Sequence, residues 1–154
     1  MRIKQFLKEK EIYLLIILGF LLRFYKIKER FIWGTEQSLS LSTIVKFFEE
    51  KKLSLIGVHL LNPKSALFRS PFFTYIFALP LKIFKFNPFT LEILFALMGI
   101  VVTCLIYLAA KNFFDRKTAF LSSLFYASNF FVVQIDKKIW TITPTIITSA
   151  LILF

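Results

Sequence analysis

The chain holds 1 cysteine, 1 histidine and 4 glycines in 154 residues. A single thiol, Cys104, excludes an internal disulfide framework. It falls within an apolar run, where cysteine serves as a small hydrophobe. The single histidine, His59, has no His, Cys or carboxylate neighbour at ligand spacing, so it reads as a surface residue and not as part of a zinc centre. No Gly-rich phosphate loop is present. Acidic residues are also scarce: Lys+Arg number 20 against Asp+Glu 9, a net charge of +11. We set nucleic-acid binding aside because apolar runs dominate the chain. Lys and Arg also collect at the cytoplasmic ends of membrane helices and beside anionic headgroups.

What the chain has in excess is apolar residues. They make up 57% of it, with 18% aromatic and a mean hydropathy of +0.70, whereas a soluble domain holds about 45–50%. The excess gathers in runs such as Ile12–Leu22, Phe89–Ala110 and Ala119–Val133. A run near twenty residues long can cross the hydrocarbon core, and there the backbone must satisfy its own polar groups, so the spanning form is a helix. The expected fold is all-α: polytopic transmembrane helices with amphipathic juxtamembrane helices in the first external loop. The expected spans lie near 12–27, 89–110, 118–135 and 143–154, within one multi-spanning domain covering 1–154, with an external loop near 28–88. The last run is too short to cross. The chain therefore reads as the N-terminal part of a longer membrane domain, inactive by itself.

Arg2, Lys4, Lys8 and Lys10 precede the first run, and no small-residue cleavage site follows it. This is the pattern of an uncleaved signal anchor with a cytoplasmic N-terminus. Arg23 and Lys26 are expected to snorkel to the interface, where Tyr25 also fits. In the external loop, Thr35 is the candidate N-cap of a helix over about Glu36–Lys51, which puts Glu36 at N1. Leu41, Ile44, Val45 and Phe48 form a single apolar stripe, as expected of a helix lying flat in the interface. Leu53–Phe68 reads as loop. Pro71–Phe86 either lies in the interface or forms a short tilted span. Its length favours the interface, and the basic turn Lys111–Lys117 then falls in the cytoplasm. Gln134–Trp140 reads as a polar loop after a continuous span.

The order of these parts resembles the N-terminal third of membrane glycosyltransferases of the GT-C fold, nearest the protein O-mannosyltransferase and aminoarabinose-transferase group. The residues that carry the resemblance are the helix exit Leu21-Leu-Arg-Phe-Tyr-Lys-Ile27, the acidic loop opening Phe31-Ile-Trp-Gly-Thr-Glu-Gln37, and Arg69-Ser-Pro-Phe-Phe-Thr-Tyr75. Further along come Leu105-Ile-Tyr-Leu-Ala-Ala-Lys-Asn-Phe-Phe114, Leu124-Phe-Tyr-Ala-Ser-Asn129 and Asp136-Lys-Lys-Ile-Trp140. This chain has Glu36 where relatives carry Asp, no second carboxylate beside it, and Ser70 where they often carry Lys or Pro.

The resemblance implies transfer of a sugar, with inversion, from a polyprenyl-phosphate carrier to an extracytoplasmic lipid, glycan or protein. It implies a plasma membrane of bacterial or archaeal type and no nucleic acid. Glu36 is the expected base, since a helix start favours the ionised carboxylate. Arg69 is expected to meet the leaving phosphate. Gln37 and Asp136 are expected to contact substrate. No cofactor is assigned, and a divalent cation is left open. Simpler roles stand beside these. Glu36 complements a helix N-terminus, Arg69 anchors headgroups, Gln37 is a polar-face residue, and Asp136 pairs with Lys137 or Lys138. The rival classes are a transporter or flippase, which needs charge at mid-membrane depth, and a non-catalytic membrane subunit.

Overall fold

The computed structural model describes residues 9–31, 33–51, 57, 71–138 and 143–152, the side chains of 36, 72–74, 143 and 144 excepted. All regular structure among them is helical: α1 Lys10–Phe24, α2 Thr35–Glu50, α3 Phe72–Ile83, α4 Phe89–Phe113, α5 Arg116–Ser128, α6 Phe130–Lys137 and α7 Thr143–Ile152. The described residues fall into two compact units. One spans Ile32–Glu92, and the other takes the segments up to Phe31, from Ile93 to Lys138, and from Ile142 onward.

α4 is the one described helix long and apolar enough by itself to cross a membrane. Its 25 residues rise about 37 Å against a core of about 30 Å. Asn87 Oδ1 accepts the Phe89 N–H at 3.0 Å at its start. Its end runs to Phe113, three residues beyond the expected limit, and Lys111 in its last turn pairs with Glu9, the residue before α1.

The second apolar stretch, 118–135, is not the continuous span expected from sequence. It breaks at Asn129, and α5 and α6 meet at 63°. Asn129 Oδ1 accepts the N–H groups of Phe131 and Val132 at 3.0 and 3.2 Å. The side chain thus satisfies donors that a new helix leaves open, which makes a fresh start cheaper than continuation. Gln134–Lys137, read from sequence as loop, is the last half of α6.

Within this unit α1 runs parallel to α5 and antiparallel to α4. The buried stripe of α1 is Ile12, Leu15, Gly19 and Arg23, and that of α5 is Ala119, Ser123 and Ala127. Small residues four apart let two helix backbones approach closely. Ile12, Leu15, Tyr107 and Ala119 form the core at one end, with Ile16, Ala110, Phe120 and Leu124 packed around it. An ionic cluster closes that end. Glu9 binds Lys111 and Tyr107, and Glu11 accepts from Arg116 at 2.8 Å and from Tyr107 at 3.2 Å. The start of α1 is therefore level with the end of α4 and the start of α5.

In the Ile32–Glu92 unit, α2 begins one residue earlier than expected. Gly34 is the N-cap, Thr35 is helical, and Glu36 moves from N1 to N2. The apolar stripe of α2 packs on α3. Ile44 is buried, Phe47 meets the Tyr75 ring edge-on at 5.0 Å, and Phe48 meets Phe86 at 5.6 Å. Lys82 Nζ lies 4.8 Å above the Phe48 ring, within cation–π range. The 12 residues of α3 rise about 18 Å, too little for the hydrocarbon core.

Candidate functional site

The densest polar arrangement lies at the other end of the first unit, and its centre is Arg23. Expected to snorkel, this residue is instead 0% exposed. Its Nε donates to Asp136 Oδ2 at 3.1 Å and its Nη2 to the same oxygen at 2.5 Å. Nη1 lies 3.4 Å from the Ala127 carbonyl and 3.5 Å from that of Gly19. The Tyr126 hydroxyl donates to Asp136 Oδ1 at 3.1 Å, and the Tyr126 ring lies 5.8 Å from the guanidinium.

Each contact has a local cause. Ala127 lies in the last turn of α5, where carbonyls lose their i+4 donors. The donor that would have served it, the Phe131 N–H, has gone to the Asn129 cap. Arg23 takes its place. Gly99 on α4 lets the pair fit, since a Cβ there would lie 2.6 Å from Arg23 Nε and closer still to Asp136 Oδ2. Thr103, also buried, donates back to the Gly99 carbonyl at 3.0 Å. Ser123 Oγ is buried without a hydrogen-bond partner.

Asp136, expected in a loop to contact substrate or else to pair with Lys137 or Lys138, is thus a helical residue, 1% exposed, and paired with Arg23. Its carboxylate is enclosed on the α4 side by Gly99 and on the α5 side by Tyr126. Gln37, expected to contact substrate or else to lie on a polar face, is buried on α2. Glu36 stands in the first turn of α2, with its side chain outside the described residues, as are Arg69, His59 and Trp140. Glu36 and Gln37 belong to the Ile32–Glu92 unit and Asp136 to the other. No group of three or more His, Cys, Asp or Glu able to hold a metal ion occurs among the described residues. Sequence reasoning missed Arg23 as a functional candidate. The one signal was its place four residues after Gly19 on the buried stripe.

Electrostatics differ at the two ends. At the ionic end, burial alone would raise the Glu9 carboxyl. Hydrogen bonds from Lys111 and Tyr107 and the charges of Lys111 and Arg116 outweigh it and hold Glu9 below the ordinary carboxylate range. Asp115 is lowered, chiefly by its hydrogen bond with Thr118. The Arg23–Asp136 pair is closed and fully used, and so it is suited to holding backbone in place and not to admitting a ligand.

Among the described residues all regular structure is helical, and one helix is able to cross a membrane, or two if the bent α5–α6 pair is one span, which fits a membrane-associated protein. A family model described as dolichyl-phosphate-mannose-protein mannosyltransferase matches residues 68–154. The chain belongs to that family of membrane glycosyltransferases, which depend on a polyprenyl-phosphate sugar donor. The matched residues include Arg69 and Asp136 and exclude Arg23, Glu36 and Gln37. No curated relative and no solved structure matches the chain.

Proposed function

We propose that this protein transfers a sugar, mannose in the first instance, from a polyprenyl-phosphate carrier to a hydroxyl-bearing acceptor on the extracytoplasmic side. The observation that carries the proposal is the family match over 68–154. In the reaction, Glu36 takes the proton of the acceptor hydroxyl, and the oxygen attacks the anomeric carbon. The bond from that carbon to the phosphate oxygen breaks on the opposite face, which inverts the configuration. The polyprenyl phosphate leaves with the bonding electrons, and Arg69 meets its developing charge. At N2 of α2, Glu36 still lies within the first turn, where the helix dipole favours the carboxylate. Gln37, next to it in sequence, is buried, and its side-chain amide is the group for a substrate contact there.

Helix directions support one topology, in which α4 and a bent α5–α6 pair cross and α1, 15 residues long, crosses together with the residues that flank it. The start of α1 is level with the end of α4, so an even number of crossings separates them. A lone crossing by α3 would reverse α4. With α3 also too short, both α2 and α3 are juxtamembrane, and the turn before Arg116 shares the side of the N-terminus. That end carries Lys10, Lys111, Arg116 and Lys117, as a cytoplasmic end does.

The test uses the full-length protein in detergent with polyprenyl-phosphate mannose and membrane extract as acceptor. Glu36→Gln should lower transfer by about 10²-fold or more, the usual cost of losing a general base. Equal transfer by wild type and variant would remove Glu36 from the chemistry. No transfer with any polyprenyl-phosphate sugar would refute the transferase reading.

A further inference from the structure

Arg23 is the second-last residue of α1, and the chain leaves that helix at Tyr25 to enter the loop that carries Glu36. Asp136 is the second-last residue of α6, and the chain leaves that helix at Lys138. The pair they form, 2.5 Å apart and closed from solvent, ties the roots of two segments that are 113 residues apart in sequence. The same guanidinium reaches the Ala127 carbonyl, exposed by the break between α5 and α6.

From this juxtaposition we infer that Arg23 is a positioning residue. It fixes the direction of α6 through Asp136 and Ala127, and thereby holds together the bases of the two extracytoplasmic segments. The side chain suits the task. A guanidinium offers five N–H donors in a rigid fork, enough to grip a carboxylate and a carbonyl at once, whereas an ammonium is a single point of charge. Val133 and Lys137 are buried as well, and the tie to Arg23 gives the packing of α6 a fixed direction. Asn129 caps its first turn but leaves its direction free, and the rings of Phe130 and Phe131 are exposed. Tyr126 adds one hydrogen bond from α5 to Asp136, which assists the grip. The cluster has no room for a ligand, because even a Cβ at Gly99 collides with it.

A buried ion pair gives little net stability compared with apolar residues of similar volume. That separates positioning from mere support. In the full-length protein, the double replacement Arg23→Leu with Asp136→Leu removes both charges together and should lower global stability only by the lost hydrogen bond to the Ala127 carbonyl. Backbone hydrogen exchange should nevertheless rise tenfold or more across α6, with the middle of α4 unchanged. The catalytic arm rests on the transferase reading. There kcat should fall by about 10²-fold, as for reactants misplaced by about 1 Å, with KM for the polyprenyl-phosphate sugar within about twofold.

Arg23→Lys gives an independent check if the double variant does not fold. It keeps the charge but loses the fork, and should show the same local rise in α6 exchange at a smaller size. Wild-type exchange across α6 in either variant overturns the proposal. Faster exchange spread evenly over α1, α4 and α5 also overturns it, since that is the mark of a stability residue. If α6 loosens alone while no donor supports transfer by the wild type, the positioning role stands and the transferase reading fails.

Discussion

Gly99→Ala is the substitution for which helix propensity and structure give opposite signs. Gly99 sits inside the 25-residue helix α4. In an ordinary helix interior, alanine is favoured over glycine by about 1 kcal/mol, so the sequence alone predicts a more stable protein. In the structure the new methyl would lie 2.6 Å from Arg23 Nε and nearer still to Asp136 Oδ2, where carbon normally approaches such atoms to about 3.5 Å. Neither neighbour is a loose tip that can swing aside. Both are held by several hydrogen bonds and have no solvent to retreat into. Overpacking of this kind costs about 1–3 kcal/mol, and losing the pair outright costs about 3–5 kcal/mol. Set against the propensity gain, the net expectation is a loss of up to about 2 kcal/mol if the pair only shifts, and of about 2–4 kcal/mol if it is lost. The assay is reversible unfolding in detergent micelles, followed by the loss of helical circular dichroism. Gly19→Ala is the internal control. Its Cβ would meet Arg23 Nη1 at 3.5 Å, an ordinary contact, so it should be neutral or stabilising by up to about 1 kcal/mol. If Gly99→Ala matches or exceeds wild type, the packing argument around Arg23 is wrong.

Glu9 gives the cluster at the other end an acid limit. Its folded value is depressed below the unfolded 4.5 by Lys111 and Tyr107, despite burial. Its stabilisation is therefore fully present above about pH 4.5 and lost as pH falls through the lower folded value. Melting temperature measured from pH 7 down to pH 3 should drop more steeply for wild type than for Glu9→Gln, and parallel curves would contradict this. Asn129→Ala removes the N-cap of α6 and should cost about 1 kcal/mol in the same unfolding assay. Asn129→Asp, which keeps an acceptor, should cost much less. Tyr126→Phe removes a hydrogen bond to a carboxylate and should cost about 1.5–3 kcal/mol, read as a lower denaturation midpoint without change in its slope.

Periodicity located most helices because burial leaves a regular mark on sequence. The stripe Leu41, Ile44, Val45 and Phe48 marked α2, and the run from Phe89 marked α4. What burial does not mark is where one helix stops and another begins inside an apolar run. Ser128-Asn129 before Phe130-Phe131 is an N-cap signal. Hydropathy passes over it, because the run stays apolar on both sides of it. The same emphasis made Gln134–Lys137 look like loop, since polar residues that close a short buried helix cannot be told locally from polar residues in water.

The family was legible at 154 residues because the order of weak motifs survives where each motif alone does not, and the match over 68–154 covers the later ones. The site was legible only as residue types. Arg23 next to an apolar run has two fates, snorkelling or pairing, and the run itself does not choose between them. The choice is made by an acid 113 residues away on a helix that exists only because Asn129 breaks a span. Leaving Arg23 buried without Asp136, or Asp136 without Arg23, costs about 3–5 kcal/mol. The kink and the pair therefore require each other: without the turn of α6 the carboxylate is out of reach, and without the guanidinium the Ala127 carbonyl stays unsatisfied in an apolar medium. Mutual dependence of this kind resists reading by local rules, and it confines tolerated change at these two positions to changes made together.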